Sequence, residues 1–316
     1  MRIVWALDPM SDNKELEENA IEVLKILSQN SEAEIFPIYV FSPAQINLAA
    51  EFPSPLMDYY RQAIELKLKE HLERLHLSNL KPHRVLQESN PSFRKSADHL
   101  INEAVQLKAQ VIVVASHGRS GLARLAFGSF TETLLLRSNV PCLVVTTRTL
   151  PHEKFQRILF PTDLSEESKA VLSDVIELAK SFNAKLILYH KIPSKLAPDL
   201  RSQIPLVGEE EGLVTEFLSQ ELKVRRHKAE EWAQWSSNQG VITELIVEQH
   251  IGNLPDAINA TARANHADLI AVVAQTGAIG ATFVGSITRE VLRTSETAIW
   301  VFHSKGVGGA HATGWL

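Results

Sequence analysis

The chain has 316 residues, more than one hydrophobic core usually covers, so two domains of about 150 residues each are expected. Hydrophobic residues make up 45% and charged residues 22%, a composition that excludes a disordered or membrane-embedded chain. The net charge is -5, so the chain does not carry the excess of basic residues that is typical of a nucleic-acid-binding protein, and we expect no nucleic acid to bind.

Cysteine usage and the N-terminal segment both favour a reducing compartment. Cys142 is the only cysteine, which excludes an intrachain disulfide, and its apolar neighbours predict a buried, unreactive thiol. The N-terminus reaches Asp8 too early for the apolar core of a signal peptide, and no apolar run approaches membrane-spanning length. We therefore expect a cytoplasmic protein that binds no membrane.

In chain order, the first half predicts five strands with helices between them. The strands are expected over residues 3–7, 34–41, 84–87, 111–115 and 142–146, and the helices over 13–28, 57–75, 92–107 and 129–137. Strands that are rich in Val and Ile without strict alternation, each followed by a helix, indicate a parallel sheet covered on both faces.

The second half repeats this order, with strands expected over residues 158–160, 185–190, 243–248, 269–273 and 298–302. Segment 109–129 is similar to segment 267–286, and residues 2–8 are similar to residues 157–163. A repeat of this length predicts two copies of one domain. We expect a first domain at 1–147, a linker at 148–156, a second domain at 157–305 and a flexible tail at 306–316.

In an open parallel sheet, ligands bind where strands end at their carboxyl termini. In the first repeat this points to Asp8, Val40 and the loop 115–129. Gly118 and Gly121 free the backbone there. Gly128-Ser129 opens the next helix, whose first amides can bind a phosphate, and Arg119 and Arg124 can assist. A structural role is the alternative, in which the glycines serve close packing and Asp8 or Ser129 caps a helix.

The loop carries a family resemblance. The spacing of Ala115-x-x-Gly118, nine residues and Gly128-Ser129 resembles the nucleotide-binding signature of the universal stress protein family, which is Gly-x-x-Gly, nine residues and Gly-Ser or Gly-Thr. The repeat covers nearly the whole chain, so the sequence resembles a tandem universal stress protein. This implies an α/β fold with two doubly wound parallel five-stranded sheets, Rossmann-like and similar to the adenine nucleotide alpha-hydrolases, whose fifth strands pair as an intramolecular pseudo-dimer.

The resemblance also implies a ligand, which is ATP, with or without Mg²⁺. Asp8 and Val40 would meet the adenosine part, and the phosphates would lie against Ala115, Gly118, Gly128 and Ser129. Ala115 departs from the family glycine. If that position needs a left-handed backbone, alanine costs roughly 1 to 2 kcal/mol there.

The second repeat departs further from the signature. Its matching positions are Asp163, Lys191, Ala274, Gly277, Gly285 and Ser286. Only seven residues separate Gly277 from Gly285, and Lys191 would bring an ammonium group to where a purine edge should rest. We therefore expect the second domain to bind ATP weakly or not at all.

Three functions stay open at this stage. The first is a stress-related adenine-nucleotide binding or sensing protein that acts through the first domain. The second is an interaction module with vestigial pockets, favoured by Ala115, Ala274 and the short second loop, and the third is a carrier of another small ligand lined by Ile279, Phe283 and Val284. Because no phosphate-loop, metal-site or serine-elbow motif is present, we expect no dedicated enzyme, although slow ATP hydrolysis and a homodimer both stay open.

Overall fold

A computed structural model describes residues 1–29, 32–46, 51, 53–116, 129–192, 209–248, 253–276, 282–283 and 285–303. The chain divides into two compact units. The first unit is Met1–Lys154 with Val273–Leu316, and the second unit is Phe155–Val272. The boundary after Lys154 falls inside the segment predicted as a linker, but the end of the second repeat belongs to the first unit.

The elements alternate between strands and helices. Up to Lys154 they are β1 (Arg2–Ala6), α1 (Lys14–Leu27), β2 (Glu34–Phe41), a short 3-10 helix (Pro43–Ile46), α2 (Ser54–Glu73), β3 (Arg84–Gln87), α3 (Phe93–Gln106), β4 (Val111–Ala115), α4 (Ser129–Arg137) and β5 (Cys142–Val145). From Phe155 they are β6 (Arg157–Pro161), α5 (Glu166–Ser181), β7 (Lys185–Lys191), α6 (Glu209–Asn238), β8 (Thr243–Glu248), α7 (Leu254–Ala264), β9 (Leu269–Thr276), β10 (Thr282–Phe283), α8 (Ser286–Thr294) and β11 (Ala298–His303).

The sheet of the first unit confirms the doubly wound fold. Its strands run in the order β3-β2-β1-β4-β5, all parallel. Strand order reverses between β1 and β4, which is where this class of sheet binds ligands. Val4 and Val113 are fully buried because helices cover both faces, and this explains the continuous apolar runs in the sequence.

The two fifth strands pair, as the resemblance implied. β11 lies antiparallel to β5 in the first unit, with Trp300 opposite Leu143 and Val301 opposite Cys142. The pairing removes an exposed edge from β5, and the side chains of all four residues are fully buried.

The second unit repeats the parallel order, as β9-β6-β7-β8. Phe155 is the first residue of this unit and is buried. Its ring meets the ring of Phe182 edge-on, with 5.3 Å between the ring centres, so the core of this unit begins inside the predicted linker. Helix α6 buries Trp232 and leaves Trp235 37% exposed, as expected of a helix with one solvated face. No helix in the described ranges is long and apolar enough to cross a membrane.

The fourth strand of the second repeat is longer than the sequence predicted, and it is followed by a strand that was not predicted. β9 continues to Thr276, three residues beyond the predicted end, and β10 folds back on it with Thr282 opposite Thr276 and Phe283 opposite Gln275. Thr276 before the glycine-containing segment and Thr282-Phe283 after it are residue types common in strands, so they favour a hairpin over a phosphate loop. The connecting residues 277–281 lie outside the described residues.

Candidate functional site

A cleft of about 410 Å³ opens at the carboxyl ends of β1 and β4. Asp8 follows β1 and Ala115 ends β4, so two of the residues predicted from the sequence line one cavity. The start of α1 and two side chains of α2 complete the wall. The cleft therefore lies at the switch point that the sheet order predicts.

Asp8 shapes the turn after β1. Its Oδ1 accepts a hydrogen bond from the Met10 amide at 3.0 Å. It does not cap α1, because the side chain of Asn13 accepts from the Leu16 amide at 3.1 Å and fills that role, so the cap alternative is wrong for Asp8. Burial, with the negative charge of Asp8 adding to it, raises the pKa of the neighbouring Tyr39 hydroxyl, which stays neutral.

Ala115 ends β4 without backbone strain. It pairs with Val145, and it is not among the described residues with a left-handed backbone, which are Asn79, Lys108, Leu164, Asn183, His266 and Gly240. The conformational cost considered for alanine therefore does not arise.

Ser116 follows Ala115 and is buried, with 3% of its surface exposed. Its amide donates to the Val145 carbonyl at 2.8 Å, but its hydroxyl has no hydrogen-bond partner within the described part of the chain. A buried hydroxyl without a partner is rare in native proteins. This one stands where the glycine loop begins.

The other predicted residues of the first site either do not line the cleft or lie outside the described residues. Val40 is buried in β2, and Ser129 is the exposed first residue of α4. Neither lines the cleft. Gly118, Arg119, Gly121, Arg124 and Gly128 lie outside the described residues.

Three basic residues of the cleft were missed by the sequence analysis. Lys14 lines it from the start of α1, and Lys67 and His71 line it from α2. The Lys67 ammonium donates to the Met10 sulfur at 3.6 Å, and the His71 ring contacts the carboxylate of Glu17 on α1. Their spacing of four places both on one helix face, but nothing in the sequence indicates that this face meets α1.

Strand register identifies the second-repeat residue that matches Val40. The Thr162 amide donates to the Tyr189 carbonyl at 2.9 Å, just as the Leu7 amide donates to the Ile38 carbonyl at 3.1 Å. Two residues further along each strand stand Lys191 and Val40. The Lys191 ammonium donates to the Asn253 carbonyl at 3.3 Å.

Asp163 is built into the start of α5. Its Oδ1 accepts from the Ser165 amide at 2.9 Å and from the Ser168 hydroxyl at 2.7 Å. Burial raises the pKa of Asp163, but these hydrogen bonds outweigh burial and hold the pKa below its ordinary value. The next residue, Leu164, has a left-handed φ of 62°, which the matching Pro9 cannot adopt because its ring holds φ near -65°. The two aspartates therefore lie in different turns.

His190 is buried at the end of β7. Its Nδ1 carries the hydrogen, because it donates to the Thr162 carbonyl at 2.9 Å, and Nε2 has no partner among the described residues. Burial lowers the pKa of His190 although the bond to Thr162 opposes it, and the charge of Arg225 lowers it further. The imidazole is therefore neutral near pH 7.

The rest of the second site differs from the first in backbone. Ala274 is buried inside β9, where the hairpin continues the strand. Gly285 precedes α8 with an ordinary φ of -54°, and Ser286 is the exposed first helical residue. Gly277, Ile279 and Val284 lie outside the described residues, and Phe283 belongs to β10.

A second cleft, of about 430 Å³, lies between β8 and α7. Its lining includes Glu248, Asp256 and Thr261, and none of the residues predicted for the second site. Within the described part of the chain, no group of three or more His, Cys, Asp or Glu side chains could hold a metal ion.

Comparisons with known proteins identify relatives. The sequence profile of the Universal stress protein family matches residues 1–146 and 154–303. A search of the curated proteins finds no match. A universal stress protein from Archaeoglobus fulgidus DSM 4304 is similar in structure, with a TM-score of 0.64 and 17% identity over 96% of each chain.

Two further solved structures are also similar. A functionally unknown protein from Pseudomonas aeruginosa PAO1 has a TM-score of 0.58 and 14% identity, over 96% of this chain and 92% of that one. A universal stress protein from Archaeoglobus fulgidus in complex with dAMP covers 48% of this chain and 98% of its own, with 16% identity and a TM-score of 0.32, too low to support an inference. The two full-length similarities establish the fold.

Proposed function

The chain belongs to the universal stress protein family, and on this premise we propose that its first repeat binds ATP as a stress-related nucleotide sensor. The observation that carries the proposal is the meeting of Asp8 and Ala115 in one cleft at the switch point of the sheet. A volume of about 410 Å³ lies within the usual range for small-molecule sites.

Each part of the nucleotide has chemistry to meet it. The Asp8 carboxylate can accept hydrogen bonds from the adenosine part, with Val40 near the end of the neighbouring strand. The glycine loop carries Gly118, Arg119 and Gly128, and the amides at the start of α4, with the Ser129 hydroxyl, would donate to the phosphates. The Ser116 hydroxyl, which has no partner among the described residues, offers a further donor at the start of that loop.

The charges of the cleft suit a polyanion only in part. Lys14, Lys67 and His71 supply basic groups, whereas Asp8, Asp12 and Glu17 are acidic. Mg²⁺ bound with the nucleotide would reduce the repulsion between phosphates and carboxylates. We propose that the protein is a cytoplasmic sensor that binds the nucleotide without dedicated catalysis.

We propose that the second repeat does not bind ATP. Lys191 stands where Val40 lies in the first repeat, and the Asp163 carboxylate is held by Ser165 and Ser168 at the start of α5. The backbone after Ala274 continues as a strand and pairs with β10. Lys191, Asp163 and the hairpin each remove a different part of the nucleotide site.

Calorimetric titration of the full chain with ATP and Mg²⁺ tests both proposals. We expect one ATP per chain. Ser129→Ala should weaken binding roughly tenfold because it removes a hydrogen bond to a charged group. Ser286→Ala is the matched control, since Ser286 is the exposed first residue of the corresponding helix, and its affinity should equal that of the wild type.

Each contrary result has a distinct meaning. No heat of binding from the wild type would refute ATP binding and favour the interaction module. Two ATP molecules per chain would refute the silent second repeat. Equal losses from Ser129→Ala and Ser286→Ala would refute the assignment of the site to the first repeat.

A further inference from the structure

We propose that the second repeat serves the nucleotide site of the first, with Arg289 as a positioning residue that neutralises Glu132 beside the phosphates. The inference rests on the proposed ATP binding and adds to it the part played by the second repeat. It assigns a function to a repeat whose own site departs from the signature.

The contact lies within the first compact unit. Helix α8 of the second repeat belongs to the same unit as α4, and Arg289 Nη2 lies 2.8 Å from Glu132 Oε1. Both side chains are more than a third exposed, at 39% and 36%. An ion pair this exposed contributes little to the stability of the fold. Its main effect is on the local charge, because the guanidinium of Arg289 offsets the carboxylate of Glu132.

Glu132 lies close to the proposed phosphate position. Ser129 and Glu132 are three residues apart on α4, so they share one face with their Cβ atoms about 5 to 6 Å apart. A carboxylate at that distance opposes a polyanion at the start of the helix. The Arg289 guanidinium cancels this charge where the phosphates would come closest to it.

The two repeats differ in charge at this position. Gly128-Ser129-Phe130-Thr131-Glu132 matches Gly285-Ser286-Ile287-Thr288-Arg289, so Glu132 and Arg289 are corresponding residues. The paired strands correspond as well, since Leu143 and Trp300 each stand five residues after a matching serine, Ser138 or Ser295.

This correspondence explains why a second, different repeat is useful. Two copies of the first repeat joined in the same way would place Glu132 against another Glu132, doubling the negative charge beside the phosphates. The arginine of the second repeat replaces that repulsion with an attraction.

The test compares ligands with different numbers of phosphates on the full chain. Arg289→Ala should weaken ATP binding by about three- to tenfold at low salt, the range expected for one unbalanced charge near a polyanion in water. The affinity for AMP should fall less than the affinity for ATP, and the affinity for adenosine should equal that of the wild type. The ATP effect should shrink as salt is added.

Rescue and control variants separate charge from structural damage. Arg289→Lys should retain most of the affinity, and Glu132→Gln in the Arg289→Ala background should restore it. Arg293→Ala is the matched control, because Arg293 lies one turn further along α8 and pairs with Glu290 of its own helix at 3.1 Å. It should leave the affinity for ATP unchanged.

Three outcomes would overturn the inference. An Arg289→Ala chain that binds ATP like the wild type refutes it, and so does an equal loss for ATP and adenosine, which would indicate structural damage. If the wild type binds no ATP, the proposed function fails and this inference fails with it. In the first two outcomes, ATP binding by the wild type stands.

Discussion

Asp163→Asn separates the structural role of this aspartate from the proposed ligand role of Asp8. Asparagine keeps an oxygen that can accept from the Ser165 amide and the Ser168 hydroxyl, and it removes the charge. Hydrogen bonds to charged acceptors contribute about 1.5 to 3 kcal/mol, and those between neutral groups about 0.5 to 1.5 kcal/mol. Because Asp163 is exposed enough for water to screen it, we expect the free energy of unfolding to fall by about 1 kcal/mol at pH 7.

The loss should depend on pH in a definite direction. The pKa of Asp163 is lower in the folded chain than its ordinary value of 3.8, so its stabilising effect is present above that value and disappears as pH falls through the lowered pKa. Protonated aspartate and asparagine are alike in charge. The wild type and Asp163→Asn should therefore differ in urea midpoint at pH 7, and the difference should shrink as pH falls below 3.8 and through the lowered pKa.

Asp8→Asn is the control for this experiment. The Asp8 carboxylate accepts a hydrogen bond from the Met10 amide, and the side-chain oxygen of asparagine can accept the same bond. The free energy of unfolding at pH 7 should therefore fall by less in Asp8→Asn than in Asp163→Asn. An equal loss for Asp163→Asn at pH 7 and pH 3, or no loss at pH 7, would refute the role assigned to its charge.

Two further predictions concern buried titratable groups. Because burial lowers the pKa of His190 from 6.5, the unfolded chain binds more protons below that value, and stability should fall from pH 7.5 to pH 5.5. His190→Asn should make this loss of stability smaller, as measured by thermal unfolding at each pH. Part of the loss should remain because burial also lowers the pKa of His303. An unchanged dependence of stability on pH in His190→Asn would contradict the role assigned to His190. Burial raises the pKa of Cys142 to about 12, so at pH 8 roughly one thiol in ten thousand is ionised, and a thiol reagent should label it only after unfolding. Rapid labelling of the native chain would contradict this.

The chain's architecture follows from patterns that its sequence carries locally. Each predicted strand of the first repeat has a counterpart in the structure, and the α4 prediction at 129–137 matches the observed Ser129–Arg137. Apolar runs must be buried wherever they occur, and residues such as Asn13 and Ser165 start helices through bonds to amides three residues away. The hairpin of β9 and β10 was not predicted, because its glycine-containing segment also resembles a phosphate loop.

Contacts between residues distant along the chain were decided only by tertiary packing. Lys67 and His71 enter the cleft because α2 packs beside α1, and Glu132 meets Arg289 because the second repeat ends inside the first compact unit. No local pattern encodes these contacts, since they depend on which helix faces meet after the sheet has formed. The sequence alone therefore determined the repeated α/β domain and the expected position of its ligand site, whereas folding selected the charges that surround that site.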